Sequence, residues 1–471
     1  MSNRDREETA STQRVLEEGV KDEDTSVVTW DGPNDPDNPQ NYTSSRKVFI
    51  TFIWVYSNLA TTIASSIWSS GTSAIEAQFH ESTIVVTLGV SLFLLGYTVG
   101  PPVWGPLSER LGRKRPVALG LFLFTAFSIT VAVGMNIETL LVARFLQGAF
   151  GSAPLSLAAG GVVDIWSPAR RGAVIAVYVG ILFGSPILAP IIGNFVAASY
   201  LGWRWLHWLS TILGGSALIL TVLCLPETLA PRILQARAAR LRKSGKNPNA
   251  RTAFDDQSQL GIWNIARTYL IRPFVLLATE PILVIVTVYQ AFIYGLLYLV
   301  FTSYPIAFVE IRHWPLGLSS LPFLGLLVGI ILGIVAVIWH TQARFLPAVN
   351  ANNGKIIPEQ RLPPTTHWAG MVIAGLPTGM GMFMVFVQSF NYLIDVYAPI
   401  ANSAISGNTF VRSFFGAGFP LFAPYLYHNL GFAWATSLLG FISIALVPIP
   451  ILLYRLGPRI RSWSKNTVHA I

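Results

Sequence analysis

The stretch GPLSERLGRKR, Gly105 to Arg115, decides the fold class. Long apolar runs flank it, and it carries Glu109, Arg110, Arg113, Lys114 and Arg115. Hydrocarbon about 30 Å thick takes roughly 20 apolar residues per helical crossing. A glycine-punctuated turn with that many charges between two such runs belongs at the membrane surface. Its excess of cations places it on the cytoplasmic side. The chain is accordingly read as an all-α polytopic membrane protein.

Composition agrees. Of 471 residues, 52% are hydrophobic and 12% charged, with a mean hydropathy of +0.53, whereas soluble domains carry about 25% charged residues. The net charge of +9 comes from cations clustered beside apolar runs. They read as topology signals and contacts with anionic lipid, not as a nucleic-acid footprint. The single cysteine, Cys224, lies in an apolar run and can form no internal disulfide. No metal-ligand cluster, phosphate-binding GxxxxGK[ST] loop, nucleophile elbow or paired intramembrane carboxylates appear, so neither an enzyme, a cofactor nor ATP-driven pumping is implied.

Residues 1–47 hold 11 of the chain's 23 acids and read as a disordered acidic cytoplasmic tail. Within it, WDGPNDPDNPQNY, Trp30 to Tyr42, is a run of turn-forming residues. Its expected state is solvated, with a docking role as the alternative. Apolar runs follow near 48–70, 84–106, 116–134, 140–164, 171–197, 205–225, 276–300, 318–340, 366–390, 398–426 and 431–454. These divide into a six-helix bundle over 48–225, a basic cytoplasmic linker over 226–273, a second bundle over 274–454, and a basic cytoplasmic tail over 455–471. Six crossings return the chain to the cytoplasm. The remaining five would leave the tail outside, although Arg455, Arg459, Arg461 and Lys465 argue for inside. The suspicious stretch is RLPPTTHWAG, Arg361 to Gly370, where a polar loop runs abruptly into a span.

These motifs together resemble the major facilitator superfamily, and within it the fungal twelve-span drug:proton antiporters. The resemblance covers roughly residues 30–460. Gly105, Leu107, Ser108, Glu109, Arg110, Gly112, Arg113 and Lys114 match the signature G-x-L-[AS]-[DE]-R-x-G-R-[RK]. It implies a gate that makes and breaks charge contacts at helix ends, Glu109 pairing with the arginines. Arg144, Gln147 and Gly148 in LLVARFLQGAFGS match a motif linked to proton transfer. An intramembrane arginine normally faces the protein interior, and a structural arginine capped by carbonyls is the alternative. Asp164, Arg170, Arg171 and Gly172 match a further loop motif. Gly184, Pro186, Pro190 and Gly193 in GILFGSPILAPIIGNF resemble the antiporter helix, with Ser185, Ala189 and Asn194 in place of its usual glycines. In relatives the RLPP-like and HW-like segments are further apart than Pro364 and His367-Trp368 are here. About one helix of 20–25 residues is therefore expected to be absent at this point.

The resemblance implies two six-helix halves, with about eleven spans readable here, around a midplane cavity reached by alternating access. Gln290, Tyr294 and Tyr298 at helical spacing, with Asn58 and Ser65, are the expected cavity residues, suited to amphipathic and cationic compounds. Glu280 is expected at an interface, as are Glu76 and Asp395. Arg412 lies deeper, with an acid as its expected partner. The resulting expectation is a proton-antiporting exporter of drugs, secondary metabolites or polyamines, monomeric, in the plasma membrane or the vacuolar membrane. A nutrient uniporter or importer and a non-functional product lacking one helix are the alternatives.

Overall fold

The computed structural model describes residues 27–245, 247–253, 255, 270–345, 347, 351, 376–397, 400–462 and 464. Backbone in hydrocarbon must satisfy its own hydrogen bonds, which favours helices, and the described residues are overwhelmingly helical. The first half consists of α1 (Ser44–Ile67), α2 (Thr72–Phe79), α3 (Thr83–Leu111), α4 (Lys114–Val133), α5 (Ile137–Ile165), α6 (Pro168–Ala198) and α7 (Arg204–Cys224). A short 3-10 turn, Trp68–Gly71, joins α1 to α2. Ser82 and Asn136 cap α3 and α5 through side-chain oxygens, satisfying amides that the helix leaves unpaired. α8 (Ala230–Lys243) lies in the linker. The second half contains α9 (Arg272–Thr279), α10 (Pro281–Pro305), α11 (Phe323–His340), α12 (Leu376–Val396), α13 (Ala401–Leu446) and α14 (Pro448–Ser462).

The turn at residues 105–115 is shorter than the sequence suggested. α3 stays helical through Leu111, so Gly105, Glu109 and Arg110 ride on its last turns. Only Gly112 and Arg113 make the corner, Gly112 at φ +85°.

α13 is two helices joined at Gly431, whose φ of +75° and ψ of 157° break the helical path. Its first part runs beside α10 in the same direction: Asn408 bonds Thr287, and Ala423 and Tyr427 pack with Leu299 and Ile306. After Gly431 the chain comes back along α10. Ala435 joins the cluster around Ile306, Leu446 lies near Tyr289 and Ile293, and Leu453 packs with Ile282 and Leu283. The split falls where the apolar runs 398–426 and 431–454 divide.

This return settles the position of the C-terminal helix. α14 ends beside α9 and the start of α10, on the face that also carries the Gly112 corner. The basic residues of the tail region thus lie with the other basic segments, as their charge suggested. α11 and α12 run side by side in one direction, since Gly379 packs on Leu326 and Gly333 on Phe383. Both descend to the basic face: Tyr397, just past the end of α12, bonds Glu280 at the head of α10. α11 therefore ends on the basic face, and α12 begins on the opposite one. The place of the expected missing helix, with Arg361, Pro364, His367, Trp368 and Gly370, lies outside the described residues, as do residues 1–26, Arg267 and Lys465.

Residues 27–43, expected to be disordered or solvated, are folded against the linker. Asp35 accepts the backbone N–H of Asp31 and of Asp37 at 2.8 and 2.9 Å, and Arg237 of α8 donates to it at 2.8 Å. Arg237 also pairs with Asp31, and Val28 N–H donates to the Arg251 carbonyl at 2.7 Å. The Asp31 amide first, then the Asp37 amide and Arg237, hold the Asp35 carboxyl below its usual range. The docking partner of the turn run is thus the chain's own linker.

Candidate functional site

At the basic face the signature segment is locked by acids other than the expected one. Arg113 Nε donates to Asp164 at 3.1 Å and its Nη1 to Ser108 Oγ at 3.0 Å. Glu227, just beyond α7, accepts the backbone N–H of Arg113 at 2.8 Å and of Lys114 at 3.3 Å. A Cβ on Gly112 would lie 2.1 Å from Glu227 Oε2, so this glycine is needed for both its φ and its neighbour's approach. Glu109 makes no ion pair among the described residues and instead lines the mouth of a cavity. Arg113 is therefore paired with Asp164, tying the end of α3 to the end of α5 beside the linker. Arg171 belongs to a stretch whose side chains lie outside those described.

Arg144 on α5 is fully buried. Its guanidinium donates to the carbonyls of Gly89, Ala64 and Ser65 at 2.9, 2.8 and 3.2 Å, and to Gln147 Oε1 at 2.9 Å. Gln147 passes the contact to Ser128 Oγ at 2.7 Å. Phe93 and Trp68 cover the guanidinium, its carbon 4.5 and 5.2 Å from their ring centroids. Gly148 lets α3 approach closely, because a Cβ there would meet the Phe93 carbonyl at 2.0 Å. Of the two readings of this arginine, the geometry matches the carbonyl-capped one. No carboxylate pairs with it among the described residues.

α6, the helix resembling the antiporter signature, lies between the halves. Ser66 of α1 donates to the Pro186 carbonyl at 2.7 Å, and Gly193 faces Ser70. On the other side Gly184 meets Leu327 and Gly180 meets Ile334, both of α11. Pro186 and Pro190 sit inside the helix. Asn194 is buried.

Between the halves, a cavity partly open to solvent reaches from Glu109 and Arg113 at the basic face up to Arg412. Gly105, Tyr178 and Leu182 form part of the first half's wall, and Phe386, Phe390 and Thr409 part of the second's. Arg412 lies eleven residues into α13, roughly 16 Å from its end at a 1.5 Å rise. Beyond it the halves meet. Ser65 Oγ and Tyr298 Oη are 2.8 Å apart, and Ser91 Oγ donates to the Ala417 carbonyl at 2.7 Å. Among the described residues, the cavity is thus reached from the basic face and closed toward the opposite one.

The expected cavity residues take other positions in this conformation. Tyr294 and Tyr298 pack at a tilt behind Arg412, their ring centroids 5.0 Å apart. Gln290 Nε2 donates to the Phe386 carbonyl at 3.1 Å, fixing α10 against α12. Asn58 binds the Pro154 carbonyl at 3.2 Å, holding α1 to α5. Glu280 is buried beneath Tyr397, whose hydroxyl donates to it at 3.2 Å, rather than lying at an open interface. Arg412 does not have its expected acid. Its carbon lies 4.8 and 4.9 Å from the ring centroids of Tyr294 and Phe386, with no ion pair among the described residues. Sequence reasoning missed Tyr178, Phe386 and Thr409 on the wall, for which residue type gave no signal. It also missed Glu227, whose signal was a lone acid at the exit of the sixth span.

A profile described as Major Facilitator Superfamily matches residues 53–350. An MFS-type transporter of Aspergillus oryzae is 58% identical over 467 residues, covering 95% of this chain and 91% of that protein. A citrinin biosynthesis cluster MFS transporter of Monascus ruber is 44% identical, covering 94% of this chain and 92% of its own. An ascochitine biosynthesis cluster MFS transporter of Didymella fabae is 41% identical, with coverages of 95% and 90%. Among solved structures, a proton:xylose symporter shares the fold at TM-score 0.58 and 16% identity, covering 88% of this chain and 96% of that one.

Proposed function

From the premise that the chain belongs to the major facilitator superfamily, we propose that it exports small amphipathic metabolites against an inward flow of protons. One observation carries the reading. Among the described residues the cavity opens toward the basic face, which the charge distribution assigns to the cytoplasm, and contacts between the two halves close its far end. A substrate entering from the cell interior meets this state first. Rocking of the halves then breaks the Ser65–Tyr298 and Ser91–Ala417 contacts and re-forms contacts at the basic face.

The charge gate of Arg113, Asp164 and Glu227 stabilises the complementary state. Arg144, Gln147 and Gly148 form the joint that links α5 to α1 and α3. In this reading proton entry acts by changing that joint's hydration. α6, with Gly184, Pro186, Pro190 and Gly193, is the hinge between α1 and α11. The biosynthesis-cluster names of the relatives support a secondary metabolite as the cargo. The working unit is a monomer in the plasma membrane.

Inside-out vesicles, acidified internally and loaded with a pH-sensitive dye, provide the test. Adding aromatic metabolites to the outside is expected to release internal protons, and a collapsed pH gradient is expected to stop their uptake. Uptake that ignores the gradient would instead assign the chain to uniport.

A further inference from the structure

We propose that the cavity selects anions, with the Arg412 guanidinium as the anchor for a carboxylate carried on an aromatic skeleton. The proposal rests on the transport reading above and narrows its substrate class.

Three observations converge. Arg412 is 3% exposed, and its Nε has no hydrogen-bond partner. It nevertheless forms part of the cavity wall. A guanidinium taken out of water is unfavourable unless an anion or several acceptors replace the lost hydration. Arg144 shows how this fold supplies such acceptors when an arginine is structural: three carbonyls and an amide oxygen. Arg412 has aromatic faces instead, which offset part of the cost but satisfy no N–H.

Among the described residues no counter-charge lies at that depth. Among the described residues, the carboxylates of the spanning helices lie in terminal turns: Glu109 and Asp164 toward the basic face, Glu138 at the far end of α5, and Asp395 at the end of α12. Glu109 stands at the cavity mouth, and Asp164 is held by Arg113. Arg412 already occupies one ring face of Tyr294 and one of Phe386, so a cationic ligand on those rings would compete with the guanidinium. A cation would meet a fixed positive charge with no acid beside it. A carboxylate would receive the fork of N–H donors that guanidinium presents, while Phe386, Phe390, Tyr178 and Leu182 take an aromatic body.

Equilibrium binding to the purified full chain in lipid nanodiscs tests this without any ion gradient. The probes are 1-naphthoate, 1-naphthamide and 1-naphthylmethylammonium, read by tryptophan fluorescence or calorimetry. The carboxylate is expected to bind roughly ten- to a hundredfold more tightly than the amide, the range of a charge-assisted hydrogen bond. The ammonium is expected to bind weakest. Arg412→Gln should erase that preference by weakening naphthoate far more than the amide, and Arg412→Lys should keep part of it. Thr409→Asp places a carboxylate one turn away on the same wall. It should neutralise the site from within, lose naphthoate binding and accept the ammonium, which keeps the test sharp if Arg412→Gln folds poorly. Equal affinity for the three probes, tighter ammonium binding, or a naphthoate preference surviving in both Arg412→Gln and Thr409→Asp would overturn the proposal. A chain that binds naphthoate selectively yet moves no protons would refute the antiport reading and leave this one standing.

Discussion

Among the described residues, each half of the molecule buries one arginine in mid-membrane, and the two are treated in opposite ways. Arg144 is closed. Carbonyls of α1 and α3 and the Gln147 amide accept its N–H groups, and Phe93 and Trp68 cover its faces. Arg412 is open. It leans on Tyr294 and Phe386 and borders the cavity with its Nε unbonded. The same costly residue thus acts as a rivet between helices in one half and as a binding group on the cavity wall in the other. Which role an intramembrane arginine has follows from its acceptors, not from its depth.

Removing the rivet should have the largest effect. Arg144→Met leaves the Gln147 oxygen and the carbonyl set without their donor and is expected to lower stability by about 2–5 kcal/mol. Thermal unfolding in detergent reads this, and an unchanged midpoint would show that the carbonyl cap is dispensable. Arg412→Met should do the reverse. Replacing a poorly bonded buried charge by an apolar side chain is often neutral or stabilising, so the midpoint should hold while carboxylate binding falls at least tenfold.

Two smaller effects probe the basic face. Gly112→Ala forces a Cβ to 2.1 Å from Glu227 Oε2 at a φ of +85° and should cost about 1–3 kcal/mol. In the Glu227→Ala background the cost should shrink, because the obstructing carboxylate is gone. A double-mutant cycle on unfolding midpoints decides whether the two are coupled. The weakest contact is the clasp between Asp35 and Arg237. Because the folded carboxyl is held below its usual value, its contribution is fully present above the unfolded pKa of about 3.9. It is lost as pH falls through the lower folded value. Protease protection of residues 28–43 should therefore be flat from pH 5 to 8 and decline in stronger acid, while Arg237→Gln removes it throughout.

Much of this was legible because hydrocarbon penalises charge. The Gly105–Arg115 stretch, Arg144 and four of the five late apolar runs could be placed without coordinates; the start of the run near 366–390 lies outside the described residues. The break at Gly431 coincides with a gap between two runs. The carboxyl partners were not legible, since Asp164 lies 51 residues and Glu227 114 residues from Arg113, and nothing local distinguishes them from Glu109. The turn run at Trp30–Tyr42 looked solvated because its residues are polar. Arg237, which holds it, comes 202 residues after Asp35. For Arg412 the sequence did hold a clue: no spanning run carries an acid near its centre, so an expected partner had nowhere to come from. The wall positions of Tyr178 and Phe386 depend on how the halves meet, which helical periodicity does not specify.

The most direct measurement compares the unfolding midpoints of the original chain, Arg144→Met and Arg412→Met, each with and without saturating 1-naphthoate. The account predicts a low midpoint for Arg144→Met, and for Arg412→Met a midpoint like the original that naphthoate no longer raises. An Arg412→Met protein destabilised as much as Arg144→Met, or one that naphthoate still stabilises, would contradict the division of the two arginines into rivet and binding group.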